Sequence, residues 1–319
     1  MRILLAGGAG FIGSHLSDVL VARGDSVVCV DNLSTGRAQN IEHLVGHRSF
    51  SFLEADITEP LSDWVPSSDH FDAVLDFASP ASPSDFATMP LEILAVGSTG
   101  TRNLLDLALR DGARFFLAST SEVYGDPLVH PQPETYWGNV SSVGPRSCYD
   151  EAKRFSEALT MAYHRSCGVD VRIARIFNTY GERMRPLDGR VVNTFVVQAL
   201  LNEEITVFGD GHQTRSFCHV SDEVRGLVAL LDSNRTSPTN IGNPDEFTML
   251  DLAREVIELT GSSSEILLLP LPPEREGDPT QRCPDIAVAK RELGWEPKIS
   301  LREGLARMIE HFRISESIV

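Results

Sequence analysis

The sequence predicts an α/β fold: a doubly wound parallel sheet carrying a smaller, irregular α/β lobe. Three observations predict it. Short apolar runs alternate with helical stretches through the first half of the chain. Those runs lack clean polar–apolar alternation, as strands buried on both faces do. After about Phe177 the rhythm gives way to turn signals at Gly181, Pro186, Asp188-Gly189, Gly209-Asp210-Gly211 and Pro270–Pro273. A length of 319 residues also exceeds what one core usually serves, about 300 residues. Two lobes are expected, residues 1–177 and 178–319, with some segments of the second returning to the first.

The strand candidates, in order, are Ile3–Ala6, Ser26–Val30, Phe50–Leu53, Ala73–Phe77, Arg114–Ala118 and Val171–Ile176. Between the first two, Ile12, Leu16, Val19 and Leu20 repeat at helical spacing, and Gly24 follows as a stop. Strand–helix–strand repetition implies parallel pairing with right-handed crossovers. Ala152, Phe155, Ala158, Leu159, Met161 and Ala162 mark a further helix. Pro270–Glu274 reads as a loop long enough to act as a mobile flap. Trp64, Trp137 and Trp295 are expected to pack.

Composition narrows the function classes. The 28 basic and 45 acidic side chains give a net charge of −17, which repels polyphosphate and argues against nucleic-acid binding as the main role. No apolar stretch approaches the roughly 18 residues of a membrane span. Met1 runs directly into a strand-like segment, which leaves no room for a secretory signal. Cys29, Cys148, Cys167, Cys218 and Cys283 are odd in number and without C-x-x-C spacing, so reduced thiols in a cytoplasmic protein are expected. None of the nine histidines shows ligand spacing, and no metal site is expected.

The first strand ends in Gly7-Gly8-Ala9-Gly10-Phe11-Ile12-Gly13, and a helix follows at once. Gly7 permits the tight turn, Gly10 lets backbone approach a pyrophosphate, and Gly13 lets the helix pack on the sheet. The helix N-terminus offers N–H groups and partial positive charge to phosphates. A glycine-rich turn with no ligand is the plain alternative. Asp31, at the end of the second strand and 18 residues past Gly13, favours the ligand. Its carboxylate suits an adenosine ribose and repels a 2′-phosphate, so NAD is expected over NADP, with Arg37 as a nearby counter-signal. The fold is then of Rossmann type. Asp56 is placed for the adenine edge, or for a helix cap.

Tyr149 and Lys153 are four apart, on one helix face. An ammonium beside a phenol favours the phenolate, so the Tyr149 pKa is expected to fall towards neutrality. Tyrosine could then take a hydroxyl proton while hydride leaves the same carbon for NAD. The fifth strand ends in Ser119-Thr120-Ser121-Glu122, and ligands of doubly wound sheets lie beyond strand carboxyl ends. Thr120, Ser121 and Glu122 are therefore expected to face substrate, a local turn or cap being the alternative. Tyr-x-x-x-Lys joined to the glycine loop points to a short-chain dehydrogenase/reductase.

Gly7–Gly13, Ala78–Ser82, Thr120–Pro127 and Tyr149–Arg154 resemble the UDP-glucuronate decarboxylases (UDP-xylose synthases), which are extended short-chain dehydrogenases. The likeness continues through Ile176–Gly181, Asp188–Asn193, Gly209–Phe217, Asp278–Ile286 and Leu293–Pro297, nearly the whole chain. The Ala78–Ser82 and Asp278–Ile286 runs point most narrowly to that family. The resemblance implies Tyr149 as base, Lys153 as its cationic partner, and Thr120, Ser121 and Glu122 as the substrate-facing set. It implies NAD held by Gly7, Gly10, Phe11, Ile12, Gly13, Asp31, Asn32, Asp56, Ile57, Ala78 and Ser79, with Tyr149 and Lys153. A UDP-sugar would meet Pro80, Asn178, Arg190, Gln213, Arg215 and Arg282. Also implied are a homodimer, through the helices containing Leu104–Leu109 and Phe155–Ala162, and decarboxylation through a 4-keto sugar; core packing within one chain explains those apolar stripes almost equally well. The alternatives are a nucleotide-sugar 4,6-dehydratase or 4-epimerase, and, in another class, a non-catalytic NAD-binding scaffold. Two departures stand out: Ala95 and Gly97 occupy places where the family usually carries Lys and Asn.

Overall fold

The computed structural model describes residues 1–271, 278–279 and 281–315; in the proline-rich run expected as a flap, Pro272, Pro273 and Glu274 lie outside the described residues, as does Thr280. All six expected strands form: β1 (Arg2–Ala6), β2 (Ser26–Asp31), β3 (Phe50–Glu54), β4 (Ala73–Asp76), β5 (Arg114–Thr120) and β6 (Val171–Ile176). A seventh, Thr239–Ile241, joins from the second half of the chain and pairs with β6. It carries a single aliphatic residue, Ile241, so it gave no apolar run to read. Its fully buried Asn240 bonds to Tyr124 Oη and to the carbonyls of Gln132 and Asp285.

The sheet runs Thr239–Ile241, β6, β5, β4, β1, β2, β3, with every pairing parallel. Strand order reverses between β1 and β4, and the crevice beyond their carboxyl ends is where such sheets bind ligands. Alternation along β1 explains the two covering layers. Ile3 and Leu5 pack on one face with Leu16 and Leu20 of the helix Phe11–Ala22. Leu4 and Ala6 pack on the other with Leu104 and Leu105 of the helix Thr101–Asp111. Each fully buried leucine contributes about 1.5–3 kcal/mol. Val19 departs from expectation. The buried face of its helix centres on Gly13, Ser17 and Leu20, which turns Val19 to solvent.

A second core gathers Phe195, Val196, Leu252, Val256, Leu305 and Met308 from the helices Val191–Leu200, Met249–Thr260 and Leu301–Ser315. Beside it lie the parallel pair Ile205–Phe208 and Ile266–Leu269, and a three-stranded sheet in the order Glu246–Thr248, Thr214–Ser216, Gln281–Arg282. Trp64 and Trp295 are buried as expected, whereas Trp137 is 90% exposed on the loop that precedes the Tyr149 helix.

Candidate active site

A cavity of about 480 Å³ opens at the carboxyl ends of β1, β4 and β5 and runs into the second core. It brings together Gly7, Gly10, Phe11, Ile12, Gly13, Ser79, Thr120, Ser121, Glu122, Tyr149, Lys153, Asn178, Arg190, Gln213, Arg215 and Arg282. Asp31, Asn32, Asp56, Ile57, Ala78 and Pro80 do not line it.

The glycine turn is shaped for close approach. Gly7 has φ +76, and a Cβ on it would lie 2.5 Å from the Phe77 backbone. A Cβ on Gly13 would lie 2.1 Å from the Gly7 carbonyl oxygen, so helix and turn touch only because Gly13 lacks one. Gly10 heads the helix without a side-chain cap, leaving first-turn N–H groups for an anion. That arrangement fits a dinucleotide pyrophosphate. Asp31 braces the turn, accepting from the Ala9 N–H at 3.0 Å and the Leu33 N–H at 2.9 Å. Burial raises its pKa, which those bonds partly offset. Asn32 donates to Asp56 at 2.9 Å, and Asp56 also accepts from the Thr58 N–H and hydroxyl. Partial burial raises the Asp56 pKa, but these bonds outweigh it and hold the carboxyl below its usual range. The Ile57 side chain is buried in the core beneath, so only its backbone is available to a ligand.

The helix Ser147–Cys167 carries both Tyr149 and Lys153 into the cavity wall. The expected fall in the Tyr149 pKa is corrected here. Burial pushes its phenol up to about 12, against a bond with the Thr120 hydroxyl, and the neighbouring Glu122 charge adds to the rise. Lys153 does not supply the compensation. Its Nζ donates to the Ala118 carbonyl at 2.9 Å, and its own pKa is lowered by burial, offset by Asp76. Asp76 is buried behind the site and accepts from Thr101 Oγ1 at 2.9 Å. Phe86 stacks on the Tyr149 ring at 5.0 Å and fixes its plane.

Thr120 caps the short turn Ser121–Tyr124, accepting from the Glu122 N–H at 3.2 Å, and also lines the cavity. Glu122 accepts from Arg146 at 2.8 Å and from Arg282 at 3.0 Å. Burial alone would raise its pKa, but the two guanidiniums outweigh burial and keep it ionised. Glu122 is thus an acceptor and not an acid in this state. The opposite holds for Asp150, whose carboxyl is raised by burial and by the Glu122 charge.

Arg146 is the chief residue that sequence reasoning missed. It bridges Glu122 and, at 2.7 Å, Asp278, and lies over the Phe86 ring. Its only local signal was Asp150 four residues on; its main partners are distant in sequence. Arg183 and Arg185 also line the cavity unforeseen. With Arg190, Arg215 and Arg282 they make six guanidiniums in a protein of net charge −17. The crowding shows at Arg215, whose pKa is lowered to about 10 by burial and by Arg282. Arg190 pairs with Asp188 at 2.9 Å, and Gln213 donates to the Phe208 carbonyl at 2.7 Å. A cavity with excess buried cations suits a multiply charged anion.

The departures at positions 95 and 97 sit outside this wall. Gly97 is buried against the Tyr149 helix, and a Cβ there would lie 2.8 Å from the Ala152 methyl. The space an asparagine would need is therefore taken by Ala152, and neither Ala95 nor Gly97 lines the cavity.

Sheet order, glycine turn and the Tyr149–Lys153 pair define an extended short-chain dehydrogenase/reductase. A family model described as GDP-mannose 4,6 dehydratase matches residues 4–308. UDP-glucuronic acid decarboxylase 1 of Arabidopsis thaliana is 53% identical over 98% of this chain, which covers 70% of that relative. Among solved structures, a dTDP-glucose 4,6-dehydratase from Streptomyces venezuelae with NAD bound superposes with a TM-score of 0.89 at 29% identity, covering 99% of this chain and 98% of that one. A UDP-glucuronic acid 4-epimerase from Bacillus cereus, in complex with UDP-glucuronic acid and NAD, gives 0.86 at 28% identity, covering 98% of this chain and 99% of that one. The chain belongs to the UDP-glucuronic acid decarboxylase family, within the broader GDP-mannose 4,6 dehydratase family.

Proposed function

We propose that this chain converts UDP-glucuronate to UDP-xylose with NAD as a recycled cofactor. The observation that carries the reading is 53% identity, over nearly the whole chain, to a UDP-glucuronic acid decarboxylase. Tyr149, Lys153, Glu122 and the cavity arginines are all present, which speaks against a non-catalytic scaffold. The glycine turn holds the pyrophosphate, and Asp31, Asn32 and Asp56 at the ends of β2 and β3 serve the adenosine end. When bound, NAD supplies the hydride acceptor for carbon 4 and the positive charge of its oxidised ring.

Arg190, Gln213, Arg215 and Asn178 hold the nucleotide diphosphate, and Ser121, Thr120 and Arg282 face the sugar. Tyr149 takes the proton of the 4-hydroxyl. Its buried phenol holds its proton when alone, and the same burial makes it respond strongly to a cation brought alongside. A ketone at carbon 4 is β to the carboxylate on carbon 5, so carbon dioxide leaves with its electrons delocalised into an enolate. Carbon 5 is then reprotonated and the ketone reduced. Glu122, kept ionised by two arginines, orients Arg282 and holds a proton-carrying group but does not itself start as the acid. Ser121 is the remaining hydroxyl at that place.

The homodimer and a cytoplasmic setting belong to the same reading. No described helix is long and apolar enough to cross a membrane, and the five cysteines are free thiols. The test is incubation with UDP-glucuronate, UDP-glucose and dTDP-glucose, reading products by mass. Loss of carbon dioxide from UDP-glucuronate is expected. Loss of water marks a dehydratase, and unchanged mass with a new isomer marks an epimerase.

A further inference from the structure

On the side of the molecule where the segment carrying Arg282 leaves the cavity, three side chains from three distant segments converge. His130 Nε2 lies 2.8 Å from Glu246 Oε2. The Cys283 sulfur joins them, and the three ligand atoms all lie within 4.8 Å of one another. A tetrahedral zinc with bonds of about 2.0–2.3 Å needs its ligand atoms roughly 3.2–3.8 Å apart. His130 and Glu246 must therefore open slightly, and the Cys283 sulfur, which donates to the Pro244 carbonyl at 3.4 Å, must turn from it towards them.

The surrounding backbone makes this a built arrangement. Gln132 is fully buried and clamps two of the ligand segments. It donates from Nε2 to the Val129 carbonyl at 2.9 Å and accepts at Oε1 from the Cys283 N–H at 2.9 Å. The main chains of Gln132 and Cys283 are bonded as well. Glu246 lies on a strand paired with Thr214–Ser216, which also pairs with Gln281–Arg282, so the third ligand shares the same sheet. The charged side chains acting on the thiol, Glu246, Asp245 and Asp285, are all negative. Such surroundings oppose a bare thiolate and favour one bound to a divalent cation.

We propose that His130, Glu246 and Cys283 form a three-ligand site for a divalent transition-metal ion of the zinc class, with solvent as the fourth ligand. The sulfur–metal bond forms as the thiol proton passes to water, so charge balances without any redox step. Because Cys283 follows Arg282, an ion here pins the main chain that presents Arg282 to Glu122.

Titration of the metal-free full chain with Co²⁺, followed by displacement with Zn²⁺, tests the site. One equivalent should produce a thiolate-to-cobalt charge-transfer band that Zn²⁺ abolishes. Cys283→Ser should lose the band, and Cys167→Ser, which alters the one exposed cysteine, should keep it. His130→Ala and Glu246→Gln, both partly exposed, should each weaken Zn²⁺ affinity at least about tenfold, with circular dichroism confirming their fold. No band at one equivalent, a band that survives in Cys283→Ser, or unchanged affinity in both surface variants would each overturn the proposal.

Discussion

Glu122 shows how a single residue is made to play one part. Two guanidiniums at 2.8 and 3.0 Å hold its folded-state pKa below the ordinary value, so it stays charged where an isolated buried carboxyl would not. A depressed carboxyl contributes stability that is full above the unfolded value, about pH 4.3, and is lost as pH falls through the lower folded value. Glu122→Gln should therefore cost about 3–5 kcal/mol at neutral pH, since it leaves two buried cations facing a neutral amide. Urea denaturation at stepped pH should show the gap to wild type narrowing below about pH 4. Tyr149→Phe should keep fold and NAD affinity while lowering kcat by about 10²–10⁴-fold, which steady-state kinetics beside calorimetric NAD titration would separate. Tyr149, Lys153 and Glu122 were legible because helix spacing and a strand end fix their placement locally. The Tyr149 pKa was not, because proximity of Lys153 in sequence says nothing of Ala118 and Asp76, which hold its ammonium. Arg146 and the His130–Glu246–Cys283 group were likewise hidden, since their partners meet only through tertiary folding.

At the scale of elements, the sheet could be read almost strand by strand, because both-face burial leaves continuous apolar runs that no surface demand interrupts. The exception was Thr239–Ile241, fully buried but with Ile241 as its one aliphatic residue beside a hydrogen-bonded asparagine. The helix Ser147–Cys167 is packed tightly enough at one point to support a quantitative test. Gly97→Asn places a side chain against the Ala152 methyl and should destabilise by about 1–3 kcal/mol through overpacking. Combining it with Ala152→Gly removes the closest contact, leaving the residue-152 carbonyl oxygen 3.2 Å from a Cβ at position 97, at a helix-propensity cost of about 1 kcal/mol. The pair should be less damaging than the sum of the singles by at least about 1 kcal/mol in a double-mutant cycle. Additive losses would mean that the two positions do not share one space.

Across the whole molecule, acidic surface and arginine-rich cavity divide the charge, so that anionic substrate is held locally while polyphosphate is repelled generally. The stripe of Leu104, Leu105 and Ala108, expected at a dimer interface, is core; of that group only Leu109 is exposed. Phe155 is half exposed on the Tyr149 helix, with Ala158 and Ala162 also at the surface, and Leu91 and Leu94 are exposed on the helix Pro90–Ala95. Light scattering should give twice the 35.0 kDa chain mass, and Phe155→Glu should shift it towards monomer. The central claim, that oxidation at carbon 4 permits loss of carbon dioxide followed by reprotonation at carbon 5, is tested most directly by turnover of UDP-glucuronate in D₂O with catalytic NAD. The account predicts UDP-xylose carrying one deuterium at carbon 5 and no net accumulation of NADH. A product that keeps all its carbon, or a pentose with no deuterium at carbon 5, would contradict it.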